Sequence, residues 1–242
     1  MACCACEFHP AAVRPGDVDL GGIPIPSLSS PPDFIITGAD DAAFTVLLAH
    51  GAGGPMDSAS MTAAAAALAG VGFRVARFEF GYMAARRTSG LRKPPPRAET
   101  LKAEYLAAIA ALHAESPLII GGKSMGGRVA SMVADALHAE KSILGLLCLG
   151  YPFHPPEKPE SLRTAHLVHL QTPTLICQGT RDPFGSRDEV AGYDLSTRIK
   201  MLWLEDGDHD LKPRKKISGH SAADHLQTMA EDAMQWAKSI DR

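Results

Sequence analysis

The stretch Leu118-Ile119-Ile120-Gly121-Gly122-Lys123-Ser124-Met125-Gly126 runs from an apolar segment straight into a helical pattern continued by Val129, Val133 and Leu137. An apolar run this short, bounded by glycines, reads as a buried strand, so Gly122-Lys123-Ser124-Met125-Gly126 falls on a strand-to-helix turn and matches G-x-S-x-G. In such a turn the serine takes a strained backbone conformation that points its hydroxyl out of the sheet. The flanking glycines remove side chains that would strike the neighbouring strand and helix. A glycine-rich turn without chemistry has the same local pattern. Gly122-Lys123-Ser124 also ends a phosphate-loop pattern, but the position of that pattern's first glycine holds Pro117, and Leu118-Ile119-Ile120 leave no loop long enough to wrap a phosphate.

Outward from this turn, short apolar runs recur at Phe44 to Ala49, Phe73 to Phe80, Ile143 to Leu149, Thr174 to Cys177 and Ile199 to Leu204, and each reads as a buried parallel strand. Helical patterns lie between them. Leu101, Tyr105, Ile109 and Leu112 share one face; Asp57 or Ser58 is placed to cap an Ala-rich helix ending near Gly70; Ala222, Leu226, Met229, Ala233, Trp236 and Ile240 line a long final helix. Strict strand-helix alternation predicts an α/β fold with a mostly parallel central sheet and helices on both faces. Two longer loops, Gly81 to about Arg97 and Tyr151 to Thr172, are too small for a separate cap domain and are placed to rim a ligand crevice.

The 242 residues, 45% of them hydrophobic, suffice for one large domain, expected over 33–242 after a loosely ordered Pro-, Gly- and Ser-rich extension at 1–32. A net charge of -3 from 24 basic and 27 acidic residues gives no broad electrostatic reason to expect nucleic acid as a partner. The local basic clusters, Arg86, Arg87, Arg92 and Lys93, then Lys212, Arg214, Lys215 and Lys216, are too short and interrupted to be binding arms. No apolar run spans a bilayer and no leader pattern opens the chain, so a soluble, cytoplasmic protein without a membrane partner is expected. Cys3, Cys4 and Cys6 crowd the N-terminus with His9, but no second ligand pair follows at metal-site spacing, and the cysteines form no disulfide framework.

A serine hydroxyl is a weak nucleophile and needs a base, which in turn needs an acid to fix its tautomer. Asp182 follows the strand Leu175-Ile176-Cys177, and His209 follows Met201-Leu202-Trp203-Leu204, so both fall at strand carboxyl ends beyond Ser124 in the order Ser, Asp, His. Asp188 lies further from a strand end. Asp206, Asp208 and Asp210 are too close to His209 in sequence to be the preferred orienting acid. His220 and His225 fall at or within the final helix, where exposure is expected. An oxyanion hole is expected from the amide of Met125 with that of Ala52 or Gly53, in the loop His50-Gly51-Ala52-Gly53-Gly54; His50 reads as a loop-positioning residue.

These residues resemble the dienelactone-hydrolase-like α/β hydrolases, especially small cap-less members related to a testis-expressed protein and a chromatin acetyltransferase complex subunit. The resemblance runs from about Phe44 onward. It rests on His50-Gly51-Ala52-Gly53-Gly54, Gly121 to Arg128, Gly150-Tyr151-Pro152-Phe153-His154-Pro155-Pro156, Gln178-Gly179-Thr180-Arg181-Asp182-Pro183-Phe184 and Gly207-Asp208-His209. It implies an α/β hydrolase fold without a cap, with Ser124 as nucleophile, Asp182 as acid and His209 as base. Dienelactone hydrolases use a cysteine where this chain has Ser124, so their lactone substrate does not carry over.

The expected chemistry is hydrolysis of a carboxylic ester or thioester, with a small acyl compound as partner and no cofactor or metal. The alternative is an inactive hydrolase-fold scaffold whose Pro-rich loops and N-terminal segment meet a protein. Arg86, Arg87 and Arg181 would favour an anionic substrate if they faced the crevice, while Lys123 is expected to pack at the turn.

Overall fold

The computed structural model describes residues 32–90 and 94–241. Seven strands, β1 (Phe34–Thr37), β2 (Phe44–Ala49), β3 (Phe73–Phe78), β4 (Leu118–Lys123), β5 (Gly145–Leu149), β6 (Thr174–Gly179) and β7 (Ile199–Leu204), form one sheet in the order β1-β3-β2-β4-β5-β6-β7. Only β1 runs antiparallel, pairing Phe34 with Phe78 at the sheet edge; the other pairings are parallel. Around the sheet lie α1 (Ala59–Gly70), α2 (Gly81–Ser89), α3 (Lys102–Leu112), α4 (Met125–Ser131), α5 (Ala134–Ala139), α6 (Arg187–Val190), α7 (Lys215–Ser218) and α8 (Ala222–Ile240).

The strands are apolar on both faces because both are covered, and the strand period of two divides their side chains between two cores. Leu47, Ile120, Leu146, Cys148 and Ile176 face α3, α4 and α5, packing with Leu101, Tyr105, Val129 and Leu137. Their neighbours Val46, Leu48, Ile119, Leu147 and Leu175 face α1 and α8, packing with Met61, Leu68, Met229 and Trp236. The chain leaves β2 for β3 on one side and returns to β4 on the other, so the carboxyl ends of β2 and β4 flank the point where the winding reverses. In open parallel sheets that is where ligands sit.

The predicted strands and the single-sheet architecture agree with the structure, and four local expectations are corrected. β1 was not anticipated, since four residues at an edge are too few to show a period. Gly81–Ser89 is a helix rather than part of a loop; its sequence lacks an apolar stripe because only Met83 is buried, and Gly90 ends it in the left-handed conformation. The helix expected to run on from Ser124 breaks between α4 and α5, where Met132 and Val133 bond three residues back and the Ser131 hydroxyl donates to the Arg128 carbonyl. Strand and helix also do not strictly alternate: residues 150–173, between β5 and β6, hold turns and extended backbone only. Prolines at 152, 155, 156 and 159 disfavour a helix, and buried Tyr151, Phe153, Leu167 and Leu170 fill the space one would occupy.

Among the described residues no helix is long and apolar enough to cross a membrane. The Cys3, Cys4, Cys6 and His9 cluster and nearly all of the 1–32 extension lie outside the described residues. Cys148 and Cys177 are buried free thiols.

Candidate active site

β4 lies between β2 and β5 and ends at the carboxyl edge of the sheet. Tyr105 of α3 pins it from below: its buried hydroxyl accepts from the Gly121 amide (2.9 Å) and donates to the Gly121 carbonyl (2.7 Å). At the strand's end Ser124 takes φ 50° and ψ -117° and α4 starts at the next residue. Positive φ is costly for a residue with a Cβ and persists only where surroundings enforce it. Here the Ser124 amide donates to the Leu149 carbonyl of β5 at 3.0 Å, and its own carbonyl accepts from the Arg128 amide at 3.0 Å. A Cβ on Gly122 would stand 2.6 Å from the Ala49 carbonyl oxygen and 2.7 Å from Gly126, and a Cβ on Gly126 would strike Ala49 and His50; the turn closes only with glycine at both places.

The structure brings Ser124, His209 and Asp182 together. Ser124 Oγ lies 2.8 Å from His209 Nε2, and His209 Nδ1 lies 2.8 Å from Asp182 Oδ2. Asp182 is fully buried, whereas the His209 side chain keeps 21% of its surface exposed. The Asp182 carboxylate is held by further donors: Gln178 Nε2 at 2.8 Å on Oδ2 and the Phe184 amide at 2.9 Å on Oδ1. These donors satisfy the buried carboxylate and fix its orientation toward the imidazole. The Phe184 ring packs against the His209 ring, with centroids 4.1 Å apart.

The loop carrying His209 is fastened by the residues weighed as rival acids. Asp206 binds Arg214 through its side chain and backbone amide, and Arg214 holds the Asp206 carboxyl at a pKa of about 2. Asp208 Oδ1 accepts from the amides of Asp210 and Lys212. Asp210 pairs with Lys123 Nζ at 2.8 Å. Burial pushes the Asp210 carboxyl up, but Lys123 and Lys212 together bring it below its ordinary value. Lys123 Nζ also donates to the His209 carbonyl at 2.9 Å, so this lysine packs at the turn and ties the loop to the serine's strand. Asp188 lies in α6, away from this network. His220 is exposed, but His225 is buried and hydrogen-bonds the Leu211 carbonyl at 2.9 Å, which corrects the expected exposure.

The loop after β2 reaches the same place. A Cβ on Gly51 would lie 3.6 Å from the Ser124 Cβ, so the backbone runs beside the serine. His50 is fully buried and shapes this loop: Nδ1 donates to the Gly51 carbonyl at 2.7 Å and Nε2 accepts from the Phe80 amide at 3.2 Å. Burial lowers the His50 pKa below its ordinary value, in keeping with the neutral ring this pairing needs. Among the described residues the amides of Ala52 and Met125 have no acceptor within the protein.

Two clefts flank the serine. One, of about 350 Å³, is lined by Ala52, Met125, the prolines at 95, 96 and 152, Arg97, Arg128, Arg163 and Phe184. The other, of about 370 Å³, is lined by Gly51, Ala52, Gly53, Lys123, His209 and Asp210. Both long loops therefore reach the rim, as their position predicts, but the arginines differ from those expected. Arg87 is spent on Glu79 and Asp57. Arg181 is held by the Asp206 and Lys212 carbonyls, and neither it nor Arg86 lines either cleft. Arg97, Arg128, Arg163 and Gln178 were missed. Gln178 left a signal, since it is a polar residue at the end of an otherwise apolar strand.

Among the described residues no group of three or more His, Cys, Asp or Glu side chains is arranged to hold a metal ion.

A seven-stranded, mostly parallel sheet with a left-handed serine between its central strand and the following helix is the architecture of an α/β hydrolase. The chain belongs to the Alpha/beta hydrolase domain family, whose model matches residues 42–238. Its fold is similar to that of an α/β serine hydrolase without lid from Xanthomonas campestris (18% identity, 85% of this chain and 89% of that one, TM-score 0.61). It is also similar to a dienelactone hydrolase from Anabaena variabilis (19%, 87% and 99%, 0.60). A third similar structure is Est1E from Butyrivibrio proteoclasticus with ferulic acid bound (12%, 86% and 96%, 0.61).

Proposed function

We propose that this chain is a serine hydrolase that cleaves a carboxylic ester or thioester through an acyl-enzyme on Ser124. The observation that carries the reading is the continuous relay from Asp182 to His209 to Ser124, with 2.8 Å at each step, ending on a serine held at positive φ. His209 takes the hydroxyl proton as Ser124 Oγ attacks the acyl carbon, and Asp182 stabilises the imidazolium. The developing oxyanion is met by the amide of Met125 and that of Ala52 or Gly53; Ala52 has the better claim, because it lines both clefts beside Ser124 whereas Gly53 lines one. His209 then protonates the leaving group, and water activated by the same ring releases the acid. This chemistry calls on no cofactor. A non-catalytic scaffold has no use for a buried carboxylate, an imidazole and a serine in one relay.

The test is labelling with a fluorophosphonate probe, read by intact mass on the wild type, Ser124→Ala and His209→Ala. One adduct on the wild type, lost in both variants, supports the reading. No adduct on the folded wild type overturns it in favour of a binding protein.

A further inference from the structure

We infer that the cleft beside Arg97, Arg128 and Arg163 takes the acyl part of the substrate, and that this acyl part ends in an anionic group. The inference rests on the hydrolase reading above and names the substrate class of that site.

The chemistry assigns the two clefts. In the first half-reaction a bond forms between Ser124 Oγ and the acyl carbon, and the bond from that carbon to the leaving oxygen or sulfur breaks. The leaving atom takes the proton that His209 removed from Ser124. The leaving group must therefore lie on the side that His209 lines, with Lys123 and Asp210. The other cleft meets Ser124, Met125 and Ala52 but is not lined by His209, so it receives the acyl chain. In the second half-reaction water adds to the acyl carbon, His209 accepts its proton and returns it to Ser124 Oγ, and the free acid departs.

The acyl cleft is charged in a way its own residues do not balance. Arg97, Arg128 and Arg163 line it with one carboxylate, Glu99, which accepts from Arg128 Nη2 at 2.6 Å. Among the described residues the side chains of Arg163 and Arg97 have no hydrogen-bond or ion-pair partner, and Arg128 Nε is buried without an acceptor. Arg97 is exposed, but Arg163 is partly withdrawn from water, and a guanidinium so placed without an anion is unfavourable. Arg163 bears this out, its pKa being lowered first by burial and then by the neighbouring Arg128. The rest of the wall is apolar, with Pro95, Pro96, Pro152 and Phe184. Such a wall suits a short methylene chain, and the guanidinium forks suit a carboxylate or a phosphonate at its end.

The test compares 4-nitrophenyl esters of butyric acid, of glutaric acid as the half-ester, and of 3-phosphonopropanoic acid. The half-ester or the phosphonate should exceed the butyrate in kcat/KM by on the order of tenfold or more, and added salt should narrow the gap. Whichever anion leads names the head group. Arg163→Gln should collapse the preference and Arg163→Lys restore part of it, while Lys238→Gln, exposed on the distant helix α8, should leave it unchanged. Free glutarate or phosphonopropanoate should also slow fluorophosphonate labelling of the wild type, and should not slow it in Arg163→Gln. Labelling of Ser124 with no anionic preference, or a preference that survives Arg163→Gln, overturns this inference alone. Absence of both labelling and turnover overturns it together with the hydrolase reading.

Discussion

Gln178 donates through Nε2 to Asp182 Oδ2 at 2.8 Å, sharing with His209 the carboxylate oxygen that orients the imidazole. The same amide group accepts from the Tyr151 amide at 2.7 Å and donates to the Tyr151 carbonyl at 3.1 Å, so the acid is braced against the segment that leaves β5. Gln178 is fully buried. It touches no substrate cleft and acts by positioning Asp182.

Replacing it tests that role. Gln178→Leu puts an apolar side chain in place of the amide and leaves Asp182 and the Tyr151 backbone each short of a partner, at a cost of about 1–3 kcal/mol in stability. Turnover of an ester should fall by about tenfold or more through kcat, with KM little changed, because neither cleft is altered. Steady-state kinetics beside thermal melting would separate the effects; an unchanged kcat in the folded variant would refute the positioning role.

Much of this was legible in the sequence because strands covered on both faces write continuous apolar runs, and because the serine turn requires glycines at fixed offsets. β2, β4 and β7 follow their apolar runs to within a few residues. Asp182 and His209 were readable because each follows such a run. What stayed hidden depends on contacts across the sheet. The partners of Arg87 and Arg181, the unpaired state of Arg163 and the brace of Gln178 are set by residues far away in the chain, for which spacing carries no signal. The short α2 was hidden for the opposite reason, since it buries too little to leave a stripe.

Ser124 stores backbone strain. At φ 50° and ψ -117° a residue with a Cβ costs about 1–3 kcal/mol, which glycine avoids. Ser124→Gly should therefore melt higher than Ser124→Ala, by about 2–4 °C for each kcal/mol released in a domain of this size. Both variants should be inert to the fluorophosphonate. Equal melting temperatures would show that the turn is relaxed in solution.

Lys123 joins the strand of Ser124 to the loop of His209 through the His209 carbonyl and Asp210. Lys123→Met should slow fluorophosphonate labelling of Ser124 about tenfold by loosening His209, whereas Asp210→Asn should have a smaller effect. The Asp210 side chain is 42% exposed, and ion pairs open to water are worth less than about 1 kcal/mol. Labelling as fast as wild type in Lys123→Met would show that the other anchors of the loop suffice.

Acid should release the loop through Asp206. Arg214 holds its folded pKa at about 2, below the ordinary value of 3.8. A depressed carboxylate pKa adds stability that is fully present above the unfolded value and is lost as pH falls through the folded one. Arg214→Gln should thus melt lower than the wild type at neutral pH, and the gap should close between about pH 4 and about pH 2. A gap independent of pH would locate the contribution of Arg214 in packing instead.

The order of strands along the chain separates the reactive parts in time. Ser124 and the loop after β2 precede β5 in the sequence, while Asp182 and His209 arrive only with β6 and β7, added outward from β5. A nascent chain that has emerged as far as α5 carries the serine turn but not His209. On the hydrolase reading, Ser124 therefore has no base until the last strand docks and seats His209.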